Sequence, residues 1–218
     1  MATKRQRSYE DPCGIARALD VVGERWALLV VRELLLGPKR FTDLRAGLPN
    51  VGPDVLAQRL RELAAGGVIA RRTLAPPAGS RVYELTDRGR ALEPVVLELG
   101  RWGSTAPFPP GLNEIGGDST ILALKTLFDP ASVGDLEARV ELRLGEQVFD
   151  ARLAGRAFDV ARGASESPDA VLVATPPTLA ALLWQGRSLT AARRSGEAEI
   201  EGDGRVLERF LRLFPVPA

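Results

Sequence analysis

Histidine is absent from this chain of 218 residues, cysteine and methionine occur once each, and aromatic residues make up only 6%. The lack of histidine removes Ser-His-Asp and Cys-His nucleophilic machinery, together with histidine-based metal sites. The single cysteine, Cys13, excludes an intramolecular disulfide framework and suits a reducing cytoplasm. Long apolar runs are missing too. The longest, Trp26 to Val31 before Arg32, is far too short to span a bilayer, so no membrane insertion is expected. The opening MATKRQRSYEDP is basic and polar, without the apolar core of a secretory signal. Carboxylates are plentiful, but no spacing singles out an acid/base pair. Gly202-Asp203-Gly204 is too short to count as a nucleotide-binding loop. A non-enzymatic, cytoplasmic protein without cofactor or metal is the expectation.

What is present is an ordinary globular composition, 45% hydrophobic and 26% charged, with enough length for two domains of about 100 residues. The net charge of +1 hides an asymmetry. Residues 1–104 carry 17 Lys and Arg against 12 Asp and Glu, while residues 105–218 carry 12 against 16. A basic half joined to an acidic half fits a polyanion-binding module attached to a module with another task.

Within the first half, residues 1–11 read as a basic arm in which Lys4, Arg5 and Arg7 are candidate DNA contacts. Ile15, Ala18, Leu19 and Val22 make the apolar face of a first helix ended by Gly23. Trp26, Leu29, Val30, Val31 and Leu34 begin a second, apolar most of the way round and therefore central to the core. A short helix follows, with Thr42 as N-cap, Asp43 at its positive end, and Phe41 and Leu44 facing inward. After a tight turn at Asn50-Val51 comes Gly52 to Gly67, with Pro53 suited to a first helical turn and Gly66-Gly67 as a stop. On its wheel Leu56, Leu60, Leu63 and Ala64 share one face, and Asp54, Ala57, Gln58 and Arg61 share the opposite one. Two helices meeting at a tight turn form a helix-turn-helix. VIARRTL and RVYELT, joined by APPAGS, form a hairpin, the wing. Thr86 then caps a helix with Leu92, Val95, Val96 and Leu99 on its apolar face, ending near Gly100 and Trp102.

The run Cys13, Ala18-Leu19-Asp20, Gly23, Trp26, Leu29, Arg32-Glu33-Leu34, Gly37, Arg40-Phe41, Leu44, Leu48-Pro49, Leu56, Gln58 to Leu63, Gly67, Tyr83, Leu85-Thr86, Gly89 and Leu92 resembles the HxlR-type winged-helix transcriptional regulators over residues 12–103. The resemblance implies a homodimeric bacterial protein that binds double-stranded DNA and dimerises mainly through the first and last helices of this domain. It departs from the family in opening the recognition helix with Gly52-Pro53-Asp54, where a Ser or Thr and a polar residue are common. Asp54 either accepts a hydrogen bond from a cytosine amino group or complements the helix N-terminus.

Geometry then assigns contacts along the Pro53, Asp54, Ala57, Gln58, Arg61 edge. Gln58 suits adenine and Arg61 guanine. Lys39 and Arg40, with Thr42, flank the helix-turn-helix and hold phosphates. Arg71, Arg72 and Arg81 on the wing hold phosphates or reach a minor groove. Arg59, nearer the buried face, is expected in an internal ion pair. Cys13 stands where some regulators of this kind carry an oxidant-sensing or electrophile-sensing cysteine, and Arg17 one turn on favours a thiolate. The other reading of Cys13 is a small buried side chain.

The second half begins after a Pro/Gly-rich linker, residues 105–117. From residue 118 it reads helix, four strands, helices, strand, helix, an α+β layer fold. The ending Leu189-Thr190, Ala192 and Gly196 to Asp203, followed by a Leu/Phe-rich helix, resembles the sterol-carrier-protein-type lipid-binding domains over roughly 118–214. The resemblance implies an apolar cavity for a lipid-like molecule, with Leu122, Phe128, Leu183, Trp184, Leu207, Phe210 and Leu211 as candidate lining. The same residues are equally read as plain core.

The fold class is therefore two domains: a mainly α winged helix-turn-helix over 1–104 and an α+β sterol-carrier-like domain over 118–218. The function expected is a DNA-binding regulator acting as a repressor, a homodimer on a palindromic operator, modulated by a hydrophobic ligand in the second domain. The alternative is a carrier of a lipid or other hydrophobe whose winged helix serves only dimerisation.

Overall fold

The computed structural model describes residues 8–75, 79–106 and 116–216. The arm residues Lys4, Arg5 and Arg7 and residues 107–115 of the linker lie outside the described residues. The chain divides into two compact units, Met1–Val96 and Leu97–Ala218.

The first unit is built from α1 (Gly14–Val22), α2 (Ala27–Leu35), α3 (Phe41–Gly47), α4 (Pro53–Ala65), β1 (Ile69–Thr73), β2 (Arg81–Leu85) and α5 (Asp87–Arg90). The dividing point falls inside α6 (Glu93–Gly103). As the pattern of α2 requires, Ala27, Val30, Val31 and Leu34 are buried and meet Leu56, Leu60 and Leu63 of α4 in one core. Burying a leucine side chain fully contributes about 1.5–3 kcal/mol, so this stripe is a principal reason α4 sits where it does. Gly66 and Gly67 end α4 in a Schellman turn: Val68 N–H donates to Leu63 C=O at 2.9 Å, and Gly67 N–H to Ala64 C=O at 3.0 Å. Gly67 supplies the left-handed backbone this turn needs, with φ +69°.

Several local expectations are corrected. Trp26 does not lie in α2 but is its N-cap, with φ +78°, and Arg25 stacks on its ring at 5.1 Å. Thr42 is not the N-cap of α3. The helix starts two residues earlier, at Phe41 with Arg40 as N-cap, because Asp43 reaches back to accept a hydrogen bond from Arg40 N–H at 3.0 Å, leaving Thr42 inside the first turn. The expected single helix after Thr86 is two. Thr86 does cap α5, accepting from Gly89 N–H at 3.1 Å, but Pro94 has no N–H for the Arg90 carbonyl, so the chain breaks and restarts as α6. The apolar faces of α1 and α6 are not core faces in the single chain. Only Val22 of α1 is buried, no residue of α6 is, and Ile15, Leu19, Val95, Leu99 and Trp102 are exposed.

The second unit opens with α7 (Gly117–Leu127). It continues through β3 (Ala138–Leu144), β4 (Gln147–Ala154), β5 (Ala157–Arg162), β6 (Ala170–Ala174), α8 (Pro176–Trp184), α9 (Leu189–Arg194), β7 (Ala198–Gly202) and α10 (Gly204–Leu211). This sheet-rich α+β fold matches the order read from the sequence. Its five strands run β5-β4-β3-β6-β7, with β3 and β6 parallel and the other pairs antiparallel. Alternation sorts Val140, Leu142, Phe149, Ala151, Leu153 and Leu172 onto one face, where all are buried. The opposite face carries Arg139, Glu141, Arg143 and Asp150. Arg139 makes a fork with Asp150, Nε to Oδ1 at 2.8 Å and Nη2 to Oδ2 at 2.6 Å. Glu141 is 3% exposed and accepts from Arg143 Nε at 2.6 Å and Ser165 N–H at 2.7 Å.

Two outcomes follow from this packing. A methyl group on Gly89 would stand 2.1 Å from the Val68 carbonyl oxygen, so Gly89→Ala lowers the stability of the first unit by about 1–3 kcal/mol, read in a denaturant titration. The Arg139 guanidinium, with help from the Ser165 hydroxyl, holds the Asp150 carboxyl below the usual carboxylate range. A carboxyl depressed in the folded state stabilises the fold above its unfolded pKa of about 3.9, and that contribution is lost as pH falls through the lowered value. Thermal melts followed by circular dichroism should show Asp150→Asn to be less stable than the parent at neutral pH, with the gap closing as pH falls through the lowered value.

Candidate nucleic-acid interface

α3 and α4 are joined by a short turn closed by Val51 N–H donating to Leu48 C=O at 3.1 Å, with both side chains buried. Those two anchors and the leucine stripe leave α4 no freedom to roll, and its opposite edge points to solvent. On that edge Pro53, Asp54, Gln58 and Arg61 are exposed and Ala57 is half-buried, the grouping read from the wheel. Pro53 takes the first helical position and Asp54 lies in the positive first turn. The edge is 13 residues of helix with a polar row, the shape a major groove admits. Gln58 and Arg61 are not independent, because Arg61 Nη2 donates to Gln58 Oε1 at 2.6 Å.

The wing is an antiparallel pair in which Arg71 faces Tyr83, Arg72 faces Val82 and Thr73 faces Arg81. Alternation therefore separates the three wing arginines. Arg71 and Arg81 share a face, with Arg71 stacked on the Tyr83 ring at 5.2 Å. Arg72 lies on the other face and pairs with Glu84 at 3.0 Å. Lys39 and Tyr83 exchange backbone hydrogen bonds of 3.0 and 2.8 Å, which tie the segment before α3 to the wing.

The cations near α3 divide in an unexpected way. Lys39 turns inward: its ammonium donates to the buried Glu33 carboxylate at 2.5 Å, and the side chain is 11% exposed. Glu33 also accepts from Arg32 Nη2 at 2.7 Å. A buried carboxylate must be paired, and here the lysine assigned to phosphate from sequence supplies the partner. Arg40 and Thr42 are exposed, as is Arg45 on α3. Sequence reading passed over Arg45, although its i,i+3 spacing from Thr42 places it on the same helical flank. Arg59 makes the internal pairs expected of it, with Glu62 and, at 3.8 Å, Glu24.

Cys13 is the N-cap of α1 and is exposed, not buried; its N–H donates to Asp11 Oδ1 at 2.8 Å. In the second unit Leu207 and Phe210 are fully buried and Leu122 is 4% exposed, while Phe128, Leu183, Trp184 and Leu211 are half-buried. Phe128, Phe158, Phe210 and Phe214 form a cluster with ring centroids 5.1–6.1 Å apart, and Trp184 Nε1 donates to the Phe214 carbonyl at 3.0 Å. Among the described residues no group of three or more metal-ligating side chains is assembled, and no helix is long and apolar enough to cross a membrane.

Comparison with known proteins finds similarity over the helix-turn-helix part of the chain. The HxlR-like helix-turn-helix family model matches residues 21–107. The HTH-type transcriptional regulator YvaP of Bacillus subtilis is 40% identical over 89 residues, covering 40% of this chain and 82% of the relative. YodB, another HTH-type transcriptional regulator of Bacillus subtilis, is 34% identical over 85 residues, covering 39% and 76%. A crystal structure of quinone-bound YodB superposes with a TM-score of 0.37 and 30% identity, covering 42% of this chain and 97% of that one.

The inward Lys39 and outward Arg45 and Arg81 make opposite predictions for binding to any DNA duplex. Arg45→Ala and Arg81→Ala should each lower the slope of log affinity against log salt by about 1 with little change in melting temperature. Lys39→Met should leave the slope unchanged and destabilise the first unit by about 2 kcal/mol or more, because Glu33 loses a charge partner in the core.

Proposed function

We propose that this chain, which belongs to the HxlR-like helix-turn-helix family, is a cytoplasmic transcriptional repressor that binds a palindromic operator as a homodimer. The observation that carries the reading is α4, whose buried Leu56, Leu60 and Leu63 aim Asp54, Gln58 and Arg61 outward beside a wing bearing Arg71 and Arg81. A helix so placed reads base edges while arginines on α3 and the wing hold phosphates. Dimerisation through α1 and α6 is supported by the large apolar side chains those helices leave in solvent, Ile15 at 73% and Trp102 at 75% exposure among them. Two recognition helices about 34 Å apart then meet successive major grooves, and a dimer seated on a promoter blocks transcription by occlusion.

The second unit supplies the regulatory input in this reading. It is proposed as a sterol-carrier-like domain for a hydrophobic small molecule, on the strength of its helix-covered sheet, its phenylalanine cluster and the half-buried Leu183, Trp184 and Leu211. A ligand there shifts DNA binding only by as much as its affinity differs between DNA-competent and DNA-incompetent states. Cys13, exposed at the start of α1, is proposed as a second input, either through adduct formation with electrophiles or through exchange with a small-molecule disulfide, which leaves a mixed disulfide on Cys13 and releases one thiol.

The test is fluorescence anisotropy of the full chain on DNA from upstream of its own gene, against scrambled DNA, at several salt concentrations. The expected result is a preference for the upstream DNA that Arg61→Ala or Gln58→Ala lowers by about tenfold, the size of one lost base contact. Equal, weak and steeply salt-dependent binding to both DNAs, followed by an empty genome-wide binding screen, would favour the carrier alternative. Mass spectrometry of the purified protein for a co-purified lipid then decides that alternative.

A further inference from the structure

The charged and amide groups on the outer flank of α4 form one chain of contacts running from the core margin to the reading edge. Glu24 lies 3.8 Å from Arg59 Nη1, and that same nitrogen pairs with Glu62 Oε2. The other oxygen of Glu62, Oε1, accepts from Gln58 Nε2 at 2.6 Å. Gln58 Oε1 in turn accepts from Arg61 Nη2 at 2.6 Å. The members differ in burial, since the Arg59 side chain is 11% exposed while Gln58 and Arg61 stand in solvent.

We infer that Glu62 is a specificity-positioning residue, which fixes the orientation of the Gln58 amide and so decides which base edge Gln58 presents itself to. The inference rests on the proposal that α4 reads DNA. A free glutamine amide can rotate by half a turn, exchanging donor and acceptor. A carboxylate on one side and a guanidinium on the other permit only one orientation, with nitrogen toward Glu62 and oxygen toward Arg61. Each Gln58 group then keeps one valence for DNA: one N–H on Nε2 and one lone pair on Oε1. A donor and an acceptor side by side match adenine, whose N7 accepts and whose N6 amino group donates. Guanine offers two acceptors on that edge, O6 and N7, so the fixed acceptor oxygen of Gln58 meets an acceptor and guanine is disfavoured.

The remaining links explain why a carboxylate is tolerable beside a polyanion. The Arg59 guanidinium compensates the charge of Glu62 from the core side. Held among side chains, Arg59 also fixes the Glu62 rotamer, so Glu62 is anchored to the body of the domain and not to the exposed edge. A residue that never touches DNA thereby sets a preference on it.

The experiment has one arm without DNA and one with it. In the free full-length protein, nitrogen-15 relaxation of the Gln58 side-chain amide should report an ordered group. Its order parameter should fall in Glu62→Ala, where the amide turns freely about its Cγ–Cδ bond, and be kept in Glu62→Gln, whose carbonyl oxygen still accepts. Selection from a pool of randomised duplexes then compares parent, Gln58→Ala, Arg61→Ala, Glu62→Ala and Glu62→Gln. The expected result is that Glu62→Ala lowers discrimination between adenine and guanine at the position Gln58→Ala identifies by about fivefold. Affinity for scrambled DNA should change little, and Glu62→Gln should restore most of the preference. Unchanged discrimination in Glu62→Ala, at a position where Gln58→Ala does lose it, overturns the role of Glu62 and leaves the α4 reading intact. A selection in which neither Gln58→Ala nor Arg61→Ala alters any base preference overturns both readings together.

Discussion

Leu56, Leu60 and Leu63 have no exposure to solvent, and their contact with the equally buried Val30, Val31 and Leu34 of α2 sets the rotation of α4 about its own axis. A helix has one rotational freedom that matters for recognition, and a turn of 100° would replace each outward residue by its neighbour in sequence. Rolling α4 would expose leucine and bury arginine, costing the transfer free energy of the stripe and the desolvation of a charge. The position of Gln58 and Arg61 is thus a consequence of apolar packing on the far side. The turn before the helix and the Schellman turn after it hold its ends.

Buried ionic pairs set the next layer of organisation. Glu33 on α2 draws Lys39 inward, and the backbone of Lys39 is bonded on both sides to Tyr83 of the wing. A core carboxylate therefore positions the wing strand through the residue that pairs with it. The second unit uses the same device on its sheet, where Arg139, Asp150, Glu141 and Arg143 satisfy one another on the face away from the apolar core. In both units a cation that looks free in the sequence neutralises a carboxylate the fold has buried. Arg40, Arg45, Arg71 and Arg81, on helix flanks and the wing, keep their side chains outside such pairs in the interior.

The two units differ in how their apolar residues are used. In the first, α1 holds large apolar side chains in solvent, Ile15 and Leu19 among them. In the second, Phe210 and Phe214 are sealed and Phe128 and Phe158 close over them, so the same kinds of residue serve as core. Leu183, Trp184 and Leu211 are half-buried, as are Phe128 and Phe158.

The element order of both units was legible from periodicity and punctuation: the leucine spacing of α4, its Pro53 and Gly67 boundaries, the alternation in β3 and β4, and Thr86 as a cap. These features are local, because helix and strand periods and cap chemistry act over a few residues. The outward edge of α4 was legible for the same reason, as the complement of an apolar stripe. The start of α3 was not, because Asp43 competes with Thr42 for the capping role and hydrogen-bond geometry decides between them. The break before α6 could have been read from Pro94, which the apolar spacing of Leu92, Val95 and Val96 masked. Tertiary structure alone decided the fates of the charges. That Lys39 faces Glu33, that Arg72 pairs with Glu84 across the wing, and that Arg59 lies within reach of Glu24 depend on distances between chain segments. The cost of an unpaired buried charge is met by whichever partner the folded chain brings within reach.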